Sequence, residues 1–491
     1  VARRTLTIVG IVVAMLFGGA VTWLKAGPRK ERFGVDVPRP GSKSKAKGRK
    51  SKSKPRAKAA SRAPSTLPVE RRPSPPEGAP SVVLVFGCTV RRDQIGAYGG
   101  RSGVTPFIDG LAESGVRFDD ALSVSSWTRA SAVGVITGRH PLSFNLPEPG
   151  PRQSERVLTH SAVTLAERLA NAGWITSGVT ANPNLNSNYG MAQGMDRYSD
   201  SSAKAFRRGR ASGRDVVDQA MQFIDQRPED QLDRPIYLRL MMIDAHHPRT
   251  PAAELVQANL DAGVSPLLAE YQASLTELDR ALDQLDRGLR SRGFDPSNTV
   301  FVFVADHGEG LDLPPHHGPG HGKKMYPSTV SIPWLIRGPG VPEGQVVSGL
   351  ASGVDVKPTV LGLLNMSNEA GSAGSDLSAW VTGERAGVLP RDRAYAASMF
   401  HVANVGSIWT RDTQCQAWFP GDKDKLVEGC FDRATDPGFS DPIADPAGLQ
   451  KELQNWRARQ MALGKRFDVD EAEVGDEQQS QLELLGYLDE D

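Results

Sequence analysis

Three short stretches, SVVLVFG (81–87), PIYLRLMMID (235–244) and NTVFVFVADHG (298–308), carry apolar side chains at nearly every position rather than at alternate ones. A strand that is apolar on both faces must be covered on both faces. That condition is met by a parallel sheet layered between helices. The segments between and around these runs fit that demand. Residues 107–114, 130–137, 161–173, 214–225, 267–292 and 354–364 read as helices, the first opened by Thr105 as N-cap and Pro106 at the first helical position. Residues 116–124, 175–182 and 331–340 read as further strands. Such alternation predicts an α/β domain with a mainly parallel sheet over residues 81–370. Beyond residue 368 the pattern weakens; residues 394–432 read as antiparallel strands of a smaller subdomain within 371–491, which ends in an acidic tail with a short helix at 477–485.

The chain before residue 81 is of another kind. Residues 5–24 carry no charge and are long enough to cross a bilayer at about 1.5 Å per residue. Trp23 and Lys25 close the run like an interfacial belt. The expectation is an uncleaved anchor and a single-pass, membrane-attached protein with its folded part outside the cytoplasm. Gly18, Gly19 and Ala20 leave a cleaved signal peptide as the alternative. Residues 25–80 read as a disordered tether. Within 25–73 there are 17 Lys/Arg against three acidic residues; apart from these and Arg3 and Arg4, the remainder carries 39 basic and 54 acidic residues. The tether's charge suits anionic lipid or another polyanion. No aromatic residues are interleaved to stack on bases, so no specific nucleic-acid contact is expected. Cys88, Cys415 and Cys430 do not form a disulfide framework; Cys415 and Cys430 are either one bridge or a free pair.

The ends of the apolar runs carry the chemistry. They lead into Cys88-Thr89, Asp244-Ala245-His246 and Asp306-His307. Nine histidines occur in the chain, and four of them, His307, His316, His317 and His321, fall between residues 302 and 321. Open α/β sheets bind ligands at the carboxyl ends of their strands. Thr128 opens a helix of small residues, where amide N–H groups and the helix dipole favour an anion. A hydroxyl, two carboxylates and several imidazoles at one edge suit attack by Thr128 on a phosphorus or sulfur ester, with a divalent metal lowering the hydroxyl pKa. Taken singly, a threonine at a helix start is usually a cap and Asp-His-Gly a tight turn. Their joint occurrence favours a site.

From residue 81 to 364 the chain resembles the sulfatase family of the alkaline-phosphatase superfamily. The resemblance rests on VVLVFGCTVRRDQIGAYGG, SWTRASAVGVITGRHP, IDAHHP, VFVADHGEGL, HGPGHGKKMY and IPWLIRGPGV. It implies an alkaline-phosphatase-like fold: a large mixed, mainly parallel sheet between helices, with a smaller C-terminal α+β subdomain. It also implies one divalent metal and a hydroxyl-type nucleophile. Thr128 matches the nucleophile, which is formylglycine in true sulfatases. The Trp-Thr branch, which includes lipoteichoic-acid-synthase-like phosphoglycerol transferases, keeps an unmodified threonine. Asp306 and His307 match metal ligands. His246 and His321 match groups at the ester oxygens or leaving group, and Lys323 and Asp244 are further substrate contacts.

Two departures stand out. Cys88 replaces the family's metal-binding aspartate, and a thiolate suits zinc better than the hard cations; zinc, manganese, calcium and magnesium remain open. Ala130 and Ala132 replace the proline and the basic residue after the nucleophile, so the formylglycine-forming motif is absent. The expected function is a membrane-tethered hydrolase or transferase of sulfate or phosphate esters. The alternative is a catalytically degenerate relative that binds an anionic envelope component or a protein partner.

Overall fold

The computed structural model describes residues 66–144, 157–201, 212–311, 313, 320–398, 405–418, 429–436, 438–467 and 480–482. The chain divides into two compact units, Val1–Arg62 and Ala63–Asp491, the first wholly outside the described residues.

The three mainly apolar runs form the middle of a nine-stranded sheet. β1 (Ser81–Gly87) pairs in parallel with strand Ile236–Met242 on one side and strand Thr299–Ala305 on the other, and every residue of all three is buried. In chain order the remaining strands are β2 (Val116–Leu122), β3 (Ile175–Thr180) and β4 (Arg197–Ser199), then β5 (Ile236–Met242), β6 (Thr299–Ala305), β7 (Ser331–Ile332), β8 (Trp334–Arg337) and β9 (Gln345–Ser352). The sheet runs β4-β3-β5-β1-β6-β8-β2-β7, with β9 on β2. β4 to β6 are parallel; β8 is antiparallel to both β6 and β2. The sheet is therefore mixed and mainly parallel. Helices cover it in two groups. Helix Pro266–Arg290 packs with α1 (Pro106–Glu113) and helix Gly213–Asp225, whereas α2 (Thr128–Thr137) packs with α3 (Leu165–Asn171) and helix Val356–Leu363. Between β2 and β8, Phe118 and Trp334 stack at 3.8 Å.

A second, four-stranded antiparallel sheet holds β10 (Ala394–Ala397), β11 (Val405–Trp409), β12 (Thr413–Trp418) and β13 (Gly429–Asp432). Leu449, Leu453 and Trp456 of helix Leu449–Gly464 complete its core. Cys415 and Cys430, cross-strand partners on β12 and β13, are bridged.

Four sequence expectations change. The helix at 107–114 has Thr105 at its N-cap position and Pro106 at its first turn, but no cap bond from the Thr105 side chain. Its first amides, Phe107 and Ile108, donate instead to the Asp279 carboxylate at 3.0 and 2.9 Å, a partner that is far away in sequence. The strand at 331–340 is split by Pro333, which has no N–H to continue a ladder. The tether does not reach residue 80, because the Arg72 guanidinium is buried, bonding Asp196 at 2.8 Å and the Trp174 carbonyl at 3.0 Å. The single-pass membrane anchor is withdrawn: among the described residues no helix is long and apolar enough to cross a membrane. Residues 5–24, to which that expectation was attached, and most of the 25–80 tether and the 477–485 helix lie outside the described residues.

Burial pushes the Asp279 carboxyl up to about 6, against the two amides that favour its charge. An acid whose pKa is raised on folding binds its proton more tightly in the fold. This group therefore makes stability fall as pH rises from about 4 to about 6. Asp279→Asn removes that slope, and Asp279→Ala costs about 1–2 kcal/mol through loss of the cap; urea unfolding at the two pH values checks both. Thiol titration in denaturant without reductant finds one reactive group, Cys88, and three once reductant is added.

Candidate active site

Strand register decides which side chains meet. Gly87 of β1 lies opposite Met242 of β5 and Ala305 of β6, and Thr180 of β3 lies opposite Met241 of β5. The residues just beyond these ends, Cys88, Asn182, Asp244 with His246, and Asp306 with His307, therefore leave the sheet along one edge. Thr128 arrives from β2 as the first residue of α2. That helix is fastened to the Asp306 turn: Ser123 Oγ lies within hydrogen-bonding reach of the Asp306 carbonyl and 2.9 Å from Ser131 Oγ on α2.

Asp306 joins the loops after β1 and β6. Its Oδ1 accepts the N–H of Thr89 at 3.0 Å and of His307 at 2.7 Å. Thr89 takes up a φ of 56° there, a conformation that a β-branched residue adopts only under constraint. Tyr271, from helix Pro266–Arg290, holds the same turn through a 2.8 Å bond to the Thr89 carbonyl. Gly308 is required by close approach, since a Cβ there would meet the Ser328 carbonyl oxygen at 2.0 Å.

His307 Nδ1 lies 2.8 Å from the Gly308 carbonyl. A carbonyl only accepts, so Nδ1 carries the proton and the Nε2 lone pair faces inward. Nε2 is 3.2 Å from Thr128 Oγ1, which is 3.7 Å from Cys88 Sγ. Asn182, absent from the sequence-based set, extends its Nδ2 to within 3.3 Å of Cys88 Sγ and 3.4 Å of Thr128 Oγ1. All of these residues are buried.

Cys88 Sγ, an Asp306 carboxylate oxygen and a His307 ring nitrogen lie within 4.8 Å of one another. Asp306 Oδ2 is buried and, among the described residues, has no hydrogen-bond partner; it sits 3.5 Å from His307 Nε2. An orphaned carboxylate oxygen beside an inward lone pair and a thiol fits a divalent cation, and sulfur, nitrogen and oxygen together form a zinc-type donor set. Burial, aided by the Asp306 charge, pushes the Cys88 thiol well up. Burial also lowers His307, with Asp306 opposing.

Two further imidazoles stand beside this group. The His321 ring lies 4.5 Å from that of His307 and 5.0 Å from that of His246. Burial, with His321 adding to it, depresses His246 well below the ordinary range. Behind them is Glu309, which the sequence reading missed. Its Oε1 accepts the N–H of Gly310 and of Gly320, each at 2.9 Å, and faces His321 Nδ1 at 3.5 Å. Its Oε2 pairs with Arg249 Nη2 at 3.3 Å, both side chains being fully enclosed. Burial alone would raise the Glu309 carboxyl, but His321, Arg249 and His246 outweigh it and hold it below the usual range. The only sequence signal for either residue is adjacency, Glu309 to Asp-His-Gly and Arg249 to His-His-Pro.

The two expected substrate contacts, Asp244 and Lys323, have these surroundings. The Asp244 Oδ1 accepts the Gly213 N–H at 2.8 Å at the start of helix Gly213–Asp225, and Lys323 is exposed. His316 and His317 lie outside the described residues.

The sulfatase family model matches residues 80–366. An endo-4-O-sulfatase of Bacteroides thetaiotaomicron is 29% identical over 34% of this chain and 32% of its own length. An ulvan-active sulfatase of Formosa agariphila is 24% identical over 63% of this chain and 66% of its own. The chain thus spans between about a third and two thirds of these curated relatives. A solved protein in complex with its substrate, D-glucosamine-2-N,6-O-disulfate, superposes with a TM-score of 0.61 over 79% of this chain and 99% of that one at 17% identity, a likeness of fold. With more than half of its residues matched by the family model, and with the sheet order and small second sheet described above, the chain belongs to the sulfatase family, of alkaline-phosphatase-like fold.

Proposed function

We propose that this chain hydrolyses, or transfers the group of, a sulfate or phosphate ester through Thr128, at a centre formed with Cys88, Asp306 and His307. The observation that carries the reading is the Thr128 hydroxyl at the head of α2, 3.2 Å from His307 Nε2 and 3.7 Å from Cys88 Sγ. The names of the relatives, an endo-4-O-sulfatase and an ulvan-active sulfatase, favour a sulfated sugar as the substrate class.

Each residue has a definable task. The amides and dipole of α2 draw the anionic ester group to the Thr128 end of that helix. Thr128 Oγ1, its proton released to water, forms a bond to the sulfur or phosphorus as the bond to the sugar oxygen breaks, leaving the group on the threonine. His321, with Glu309 behind it, is assigned to protonate the departing oxygen, and His246, kept neutral by burial, to contact the ester. Water, or an acceptor alcohol in a transfer, then takes the group from Thr128. A divalent cation held by Cys88, Asp306 and His307 would polarise the ester oxygens and favour the ionised hydroxyl. Because Thr128 is neither cysteine nor serine, its own hydroxyl, and not formylglycine, is the nucleophile.

A second reading has one observation behind it. Cys88 stands where the family has a carboxylate, and a sulfur ligand is a poor partner for the hard cations calcium and magnesium. On this view the centre is degenerate and the fold binds an anion without turnover.

Activity separates the two. Thr128→Ala abolishes turnover of aryl and sugar sulfates and phosphate esters, whereas Thr128→Ser retains a measurable part of it. Absence of turnover in the wild-type chain across these esters leaves the degenerate reading. Glu309→Gln, which keeps the shape but removes the charge behind His321, lowers kcat about 10-fold or more on sugar sulfates. The loss is smaller on aryl sulfates, whose leaving groups need no proton; a panel of leaving groups checks this.

A further inference from the structure

The Asn182 side chain is enclosed at the centre, and its orientation is determined. The Asn184 N–H donates to Asn182 Oδ1 at 2.9 Å, so the amide nitrogen is the end that faces Cys88 and Thr128. The Asn182 main chain is pinned as well, its N–H bonding Thr180 Oγ1 at 3.0 Å. Nδ2 lies 3.3 Å from Cys88 Sγ and 3.4 Å from Thr128 Oγ1. An amide nitrogen donates and does not accept. Toward Asn182, then, both the sulfur and the hydroxyl oxygen act as acceptors.

This has a consequence for each. With one lone pair of Thr128 Oγ1 engaged by Asn182, the hydroxyl is held in a fixed orientation beside the Cys88, Asp306 and His307 group, 3.2 Å from His307 Nε2, whose own lone pair serves the cation. At Cys88, a donor to the sulfur tempers the charge that a metal-bound thiolate places on its cation, an outer-shell effect that sets affinity and ligand strength. We infer that Asn182 is a further catalytic residue, whose amide orients the Thr128 hydroxyl and at the same time tunes Cys88 as a metal ligand. The inference rests on the reading of Thr128 as nucleophile and Cys88 as ligand. The Arg129 guanidinium, 3.3 Å from Asn184 Oδ1 and 3.4 Å above the Tyr189 ring, braces the Asn184 that holds Asn182.

The alternative is that Asn182 only caps the turn Pro183–Leu185, whose second amide it accepts. Serine and threonine cap such turns as well, but neither extends as far as Cys88 or Thr128. The test therefore uses Asn182→Ser and, in case that variant does not fold, Asn182→Thr, with circular dichroism as the folding control. Cobalt(II) is added to metal-depleted full-length protein, and the sulfur-to-cobalt charge-transfer band and the dissociation constant are measured. kcat and KM on an aryl sulfate are measured alongside.

The expected result is a shifted band, cobalt binding weakened about 10-fold or more, and a comparable loss of kcat with little change in KM. Either variant folding normally with the wild-type band, cobalt affinity and kcat overturns the role of Asn182, provided that Thr128→Ala is inactive, and leaves the nucleophile reading standing. A wild-type chain that takes up no cobalt and turns over no ester overturns both.

Discussion

The Asp306 carboxylate is the hinge of the centre. Its Oδ1 is fully engaged by the amides of Thr89 and His307, which locks the loop after β1 to the loop after β6. Its Oδ2 points into the space between Cys88, Thr128 and His307 with no donor of its own among the described residues. A buried carboxylate oxygen without a partner is costly. The surrounding structure tolerates it because everything near it is over-determined: the left-handed Thr89, the glycine at 308 and the serine bridge to α2 all fix the same few ångströms of backbone. The cost is offset only when a cation or another donor occupies that space, and the donor set around it is the reason for favouring a cation.

The long-range architecture serves this arrangement. Parallel strands β3, β5, β1 and β6 end in register, so residues almost 220 positions apart, such as Thr89 and Asp306, come within hydrogen-bonding distance. Packing from both faces keeps the strands dry. Glu309 and Arg249 form an enclosed pair beneath the imidazoles. Such a pair is weak evidence for stability, because desolvation cancels much of its attraction. Its position behind His321 points instead to orientation of that imidazole. The small antiparallel sheet is fastened by its own disulfide and by a separate apolar cluster.

Much of this was legible in the sequence, for physical reasons. Doubly apolar runs admit few environments, so the central strands and their chemistry-bearing ends could be named from periodicity alone. Residues 394–432 likewise read as the antiparallel sheet that they form. What escaped depends on partners far away in the chain. Asp279 caps α1 from another helix, Arg72 is drawn into the fold by Asp196, and β9, with Ser348 and Gly349 in its middle, exists because β2 offers it a ladder. Asn182, Glu309 and Arg249 escaped for a related reason: adjacency to a strand end or to a histidine motif is all that marks them locally, and their partners are far away in the chain.

Anomalous diffraction from crystals of the zinc-loaded protein tests the cation centre most directly. The expected result is a single peak about 2.3 Å from Cys88 Sγ, with Asp306 Oδ2 and His307 Nε2 as further ligands, absent from Asp306→Ala. Crystals that show no peak there, grown from protein that still turns over a sulfate or phosphate ester, would contradict it.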